Sequence, residues 1–151
     1  MDKYEITRGG EGRTKVTLSA HQMGSDPIVY LYNENAHIGA VALGEYDHKE
    51  KRASTSVITR LGHKDDVVAQ KAAHLISKST KKPVCVIAGI HLDNISEMEI
   101  SKVLENTSSL VDEFITKGVQ NVKLIHSYPI KPKSKTKGVK NNGTTTGASV
   151  G

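Results

Sequence analysis

The sequence predicts a single α/β domain of the α+β kind: a mixed, mostly antiparallel sheet with about two helices packed on it, in two or three layers. Three observations carry that expectation. Five short segments rich in β-branched residues fill the first 60 positions, the apolar spacing turns helical after Gly62, and a continuously apolar run, PVCVIAG at 83–89, stands between two helical patterns.

Taken in order, KYEITR at 3–8 and TKVTLSA at 14–20 read as strands joined by GGEGR, whose glycines suit the positive φ of a hairpin turn. PIVYLYN at 27–33 and IGAVALG at 38–44 read as a second hairpin, with ASTSVITR at 53–60 as a third partner in an antiparallel meander. Val68, Ala72, Leu75 and Ile76 recur at i, i+4, i+7 and i+8, which predicts a helix over 64–79 ended by KKP. The run 83–89 predicts a strand covered on both faces. Ser96 with Glu99 forms a capping box, and Ile100, Val103, Leu104, Val111, Phe114 and Ile115 continue a helical stripe to about Lys117, before the stop at Gly118. VKLIHS at 122–127 reads as one more edge strand.

A chain of 151 residues fits one domain and buries a core without staples. The lone Cys85 makes no internal disulfide and reads as a small buried hydrophobe in a reducing compartment. No basic-plus-apolar leader and no apolar stretch near the roughly 20 residues of a membrane helix is present, so the expectation is a cytoplasmic protein without a membrane partner. The formal charge of +5 does not mark a nucleic-acid surface. All of the acidic residues precede position 131, where Lys and Arg balance them, and the excess lies in Lys131, Lys133, Lys135, Lys137 and Lys140. Residues 1–130 are therefore expected to be the folded domain, with 131–151 a basic flexible tail that has little to bury.

The chemistry concentrates in three turns. A strand at 53–60 joined through a helix to a strand at 83–88 should run parallel to it, so His63 and His91, just past those strands, share one sheet edge. His37 stands at the start of the strand that pairs with 53–60, on the same edge, where Tyr32 and Asn33 also arrive. Topology thus gathers His37, His63, Asp65, Asp66, His91, Asp93 and Asn94 on the rim beyond the carboxyl ends of parallel strands, a usual ligand site. His48 falls at the opposite end, and His21, His74 and His126 outside the cluster. Helix starts at 64–66 and 96–98 offer N–H groups to an anion such as phosphate, and Gly62 and Gly89 allow close backbone approach. Each acidic residue, taken alone, is equally an ordinary helix-start residue. Imidazole and carboxylate also suit zinc, iron or manganese, yet HExxH, paired CxxC, the GxSxG elbow and a P-loop are all absent from the sequence.

The segments NAHIGAVALG, SVITRLGHKDD and PVCVIAGIHLDNISEMEI, in this order and spacing, resemble the prenylated-flavin chaperone family, the LpdD-like small subunits that accompany gallate-decarboxylase-type enzymes, with a proteasome-assembly-chaperone-like fold. The resemblance covers roughly residues 5–117. It implies a non-catalytic homodimer that binds prenylated FMN, or FMN, and protects it for or delivers it to a UbiD-like aromatic-acid decarboxylase. Under it His37, Ile38, Gly39, Gly62, His63, Lys64, Asp65, Asp66, Gly89, His91, Asp93 and Asn94 are the expected cofactor-binding residues. The phosphate would meet Lys64, His63, His91 and the helix starts, and the isoalloxazine Tyr30, Tyr32, Ile38 and Ile90, with a metal cation conceivable as a bridge between phosphate and Asp65 or Asp93. Two other readings stay open: a metal-dependent hydrolase or lyase using His37, His63 and His91 as ligands with Asp65 or Asp93 as base, and a protein assembly chaperone without a small ligand.

Overall fold

The computed structural model describes residues 4–10 and 12–118. Six strands and two helices follow one another as β1 (Tyr4–Arg8), β2 (Val16–Met23), β3 (Asp26–Tyr32), β4 (Ala40–Asp47), β5 (Arg52–Thr59), α1 (Asp66–Thr80), β6 (Val84–Gly89) and α2 (Glu97–Glu113), with a closing π-helical turn over Phe114–Gly118. The fold is α+β, with one mixed and mostly antiparallel sheet. The expected strand at 122–127, the tail and His126 lie outside the described residues.

The sheet order is β1-β2-β3-β6-β4-β5. The hairpins β1–β2 and β4–β5 form as the sequence predicts, but the expected hairpin between 27–33 and 38–44 does not. Instead β6 enters between these strands, parallel to β3 and antiparallel to β4. The physical reason is burial: the continuously apolar run gains most from the central slot, where both of its edges are hydrogen-bonded. The segment 33–39, freed from hairpin duty, becomes an open loop. β5 still runs in the direction of β6, with β4 between them.

Both helices cover the same face. α1 packs on β4, β5 and β6, α2 on β1 and β2, and the two helices touch. Val16, Leu18, Val29, Leu31, Val84 and Val86 point from the sheet into this layer and meet Ala69, Ala73, Ile76, Leu110 and Phe114. Small residues bring α1 close: a Cβ at Gly44 would stand 2.4 Å from the Ala73 carbonyl oxygen. In the expected helical stripe, Ala72 and Ile76 are buried, whereas Val68 and Leu75 are only partly covered. The expectation that 83–89 is covered on both faces is corrected. Val84, Val86 and Ala88 are buried under the helices, but Cys85 and Ile87 are half-buried on a face without helices. Burial nonetheless pushes the Cys85 thiol pKa up.

α2 begins with the predicted capping box: Ser96 Oγ accepts from Glu99 N–H and the Glu99 carboxylate accepts from Ser96 N–H. Arg13, from the β1–β2 connection, reinforces it with Nε 2.6 Å and a second nitrogen 2.9 Å from the two Glu99 oxygens. This bidentate contact, together with the capping bonds, holds the Glu99 pKa down to about 2. The same guanidinium donates to the Asp93 carbonyl at 2.6 Å, tying the β6–α2 turn to the far edge of the sheet.

Candidate ligand-binding rim

Because β3, β5 and β6 run in one direction, the loops that follow them meet at one edge, with the start of β4. The three imidazoles become neighbours there. The His37 ring lies 4.8 Å from that of His63, edge-on at 80°, and 5.1 Å from that of His91, tilted by 50°. His48 sits at the other end of the sheet, against Tyr46.

Two buried polar side chains fix this arrangement. Asn33, 7% exposed at the end of β3, donates to the His91 carbonyl at 2.7 Å and accepts the His91 N–H at 3.1 Å. Asp65, also 7% exposed, stands at the amino end of α1 but does not cap it; Oδ1 accepts the Ile90 N–H at 2.9 Å and Oδ2 lies 3.4 Å from His63 Nδ1. Capping, the ordinary role of an aspartate here, is thus replaced by a tie between the β5–α1 and β6–α2 turns. A third contact comes from Arg60, whose guanidinium donates to the Ile38 carbonyl at 2.8 Å and whose N–H donates to the Gly39 carbonyl at 2.9 Å. Arg60 and Arg13 were not among the sequence candidates, and Asn33 was placed on the rim without a role. For Asn33 a signal existed, since a polar residue directly after a strand on the shared edge has buried backbone groups to satisfy.

The remaining candidates separate by role. Space beside Gly39 and Gly89 is already filled: a Cβ would fall 1.9 Å from Asp65 Oδ2 at the first and 2.0 Å from the His37 carbonyl oxygen at the second. These glycines admit the protein's own groups, which corrects the reading of Gly89 as an opening for ligand. Gly62 faces open space and takes φ +78°, as its turn requires. His91 Nε2 pairs with Asp93 Oδ1 at 3.0 Å, Asn94 turns the chain at φ 50°, and Asp66 and Lys64 flank the start of α1. The two helix starts differ: α2 spends its N–H groups on its capping box among Glu97 and Glu99, whereas α1 has no side-chain cap. The first turn of α1 thus has no side-chain cap, although Asp66 places a carboxylate there. Among the described residues, no group of three His, Cys, Asp or Glu is placed to hold a metal ion, so neither a His37, His63 and His91 ligand set nor a bridging cation has support here.

The single cleft expected around the imidazoles is two concavities that meet at them. One, of about 410 Å³, lies on the helix-free face and is lined by Ser19, His21, Tyr30, Tyr32, His37 and Ile38, with Ile87 as floor. Its volume falls in the range of small-molecule sites, about 300–1,000 Å³. His21, assigned to structure by the sequence reading, belongs here and stands edge-on to Tyr30 at 5.6 Å. The other, of about 320 Å³, opens between the helices and is lined by His63, Lys64, Asp65 and His91 with the apolar Ile90, Ile95, Val103 and Leu104.

Residues 10–118 match the family model of the prenylated flavin chaperone LpdD-like domain, and the chain belongs to that family. No curated protein matches the chain. Among solved structures it is similar to a chain of a chaperone complex for yeast 20S proteasome assembly, at 15% identity and a TM-score of 0.42, over 83% of this chain and 96% of that one.

Proposed function

We propose that this member of the prenylated flavin chaperone family carries prenylated FMN across the imidazole rim and hands it, in the cytoplasm, to a UbiD-like aromatic-acid decarboxylase. The observation that carries this reading is the junction, at three neighbouring imidazoles, of an aromatic concavity with a mouth lined by His63, Lys64 and His91. On the helix-free face, Tyr30, Tyr32 and Ile38 offer an apolar wall with polar edges to the isoalloxazine, over Ile87. Beyond His37, the phosphate meets His63, Lys64, His91 and the uncapped first turn of α1. Asp65 and Asn33 hold the two flanking turns; Gly39 and Gly89 let those turns pack; Gly62, Asp66, Asp93 and Asn94 shape the rim. The chaperone unit is residues 1–130, acting as a homodimer, with 131–151 dispensable for cargo. A rim open on both sides suits a carrier, which must release what it holds.

The test is a titration of the purified full chain with prenylated FMN and with FMN, followed by the flavin absorbance and fluorescence. A saturable spectral shift is expected. His63→Ala and His91→Ala should each weaken binding by about tenfold, the cost of one charge-assisted hydrogen bond, while far-UV circular dichroism stays unchanged. No spectral response from the unaltered chain would refute the cargo reading.

A further inference from the structure

The helix layer carries a surface that the cargo contacts leave unused. α1 and α2 both start at the rim and run away from it in contact with each other. Between them lies a hollow of about 140 Å³ lined by Val68, Ala72, Leu75, Leu104, Thr107 and Val111. Val68 and Leu104 also line the 320 Å³ cavity at the rim, so hollow and cavity form one groove. It is apolar and open to water: Val67, Ile100 and Leu104 are 61%, 43% and 42% exposed along it, where the outer face of a surface helix normally turns polar.

The two banks of this groove carry opposite charge. Lys64, just before α1, and then Lys71 and Lys78 recur every seven residues, two helical turns apart on the side of α1 toward α2. Lys71 lines the hollow itself, whereas Asp66 falls on the far side of the helix. On α2 the outward edge carries Glu97, Glu105 and Asp112, at intervals of eight and seven residues. Lys102 is spent on Glu105 at 3.0 Å, and the remaining carboxylates of α2, Glu99 and Glu113, lie on its other side, paired with Arg13 and Arg8.

We propose that the groove between α1 and α2 seats an amphipathic helix of the enzyme that takes the cargo, its apolar face on Val68, Leu75 and Leu104, an acidic flank along α1 and a basic flank along α2. A helix fits where a strand does not, because no sheet edge lies here to pair a strand's backbone, and a helix satisfies its own. The length also fits. The lining runs along α1 from Asp65 to Leu75, about 15 Å or nearly three helical turns, room for anchors at i, i+3 or i+4 and i+7. A second copy laid symmetrically on the groove would set hollow against hollow and leave both unfilled; an inserted helix fills one. The inference rests on the proposed function for the identity of the partner. Because the groove opens into the rim cavity, a helix seated in it brings the recipient to the cargo.

The experiment uses the full chain and the purified, flavin-free UbiD-like decarboxylase encoded in the same genome. Association is followed by biolayer interferometry at low and high salt, with flavin titration and sedimentation velocity beside it. Lys71→Glu reverses one bank and Ser108→Trp fills the hollow; Gln70→Glu, exposed on α1 but outside the groove, is the control. None of the three is among the proposed flavin contacts, and circular dichroism verifies folding. Expected are association that weakens with salt, a loss of about tenfold or more in Lys71→Glu and in Ser108→Trp, a control close to the parent, and flavin affinity unchanged throughout. A parent that does not associate with the enzyme, or association that survives both groove substitutions, would overturn the docking site. A parent dimer that falls apart in the groove variants would assign the groove to a second copy and overturn it as well. Association lost in both variants, with a parent that never responds to flavin, would uphold the docking site and refute the cargo reading instead.

Discussion

Replacing Asn33 probes the rim most directly, because its side chain makes both hydrogen bonds that hold the His91 backbone. In Asn33→Ala the His91 N–H and carbonyl each lose their partner. A net hydrogen bond contributes about 1 kcal/mol, and a group left unsatisfied costs up to about 3; since the His91 side chain is exposed, water reaches part of this backbone, and roughly 2 kcal/mol is expected for the pair. For a domain of this size that lowers the melting temperature by about 8 °C. Asn33→Asp sharpens the test. Its carboxylate can still accept the N–H, but it cannot donate to the carbonyl 2.7 Å away, and a charge replaces a neutral amide at a 7% exposed position. The loss should exceed that of alanine at neutral pH, about 3–5 kcal/mol, and shrink as acid protonates the new carboxyl and restores a donor. Urea denaturation of the three proteins at pH 7 and pH 5, with flavin titration beside it, reads both effects. An alanine variant within about 0.5 kcal/mol of the parent, or an aspartate variant milder than alanine at pH 7, would refute the view that this amide holds the turn.

The other predictions concern the rim's supports. Gly89→Ala must displace the His37 carbonyl, which a Cβ would meet at 2.0 Å, and should cost several times what Gly62→Ala costs, where space is open and only the positive φ penalises the change by about 1 kcal/mol; equal losses in thermal denaturation would contradict the packing role of Gly89. Glu99 ionises near 2 when folded against an ordinary 4.5, so its contribution is full above about pH 4.5 and is lost as pH falls toward 2. Arg13→Ala should abolish most of that acid dependence, read as hydrogen exchange in residues 93–99, and an unchanged acid profile would remove the tether. Deleting residues 131–151 should leave flavin affinity unaltered, since the proposed contacts precede them; a marked drop would place the lysines in the cargo site.

Much of the fold was legible because local chemistry agreed with it. The period switch after Gly62 and the Ser96–Glu99 capping box follow from patterns within a few residues of one another, and the direction of β5 relative to β6 follows from the single helix that joins them. The misread hairpin shows where that stops. Between Asn33 and Ala40 nothing local distinguishes a hairpin loop from an open connection; the outcome is decided by a strand 45 residues downstream, whose apolar run takes the slot between β3 and β4. The rim survived this error, because inserting β6 changed which strands touch without reversing any of them. Edge membership depends on direction, and adjacency does not enter it.

The same insertion explains why one anticipated cleft became two concavities. With β6 central, the turn carrying His91 leaves the middle of the sheet and continues toward the helices, while the 33–39 loop passes over Gly89 with its carbonyl where a side chain would be. Imidazoles from the two loops therefore meet at a tilt at the sheet's end, with one hollow toward the helix layer and another on the bare face. Sequence spacing placed the three rings on one rim but held no information on which layer lay behind each. Asp65 is the residue where the two levels of reading part most clearly. Its position at a helix start fits a cap, yet the part-buried Ile90 N–H has less access to water than the helix end and takes the carboxylate instead. Satisfying that donor leaves the first turn of α1 without a side-chain cap, so the carboxylate that ties the two turns also leaves free the N–H groups an anionic cargo would use.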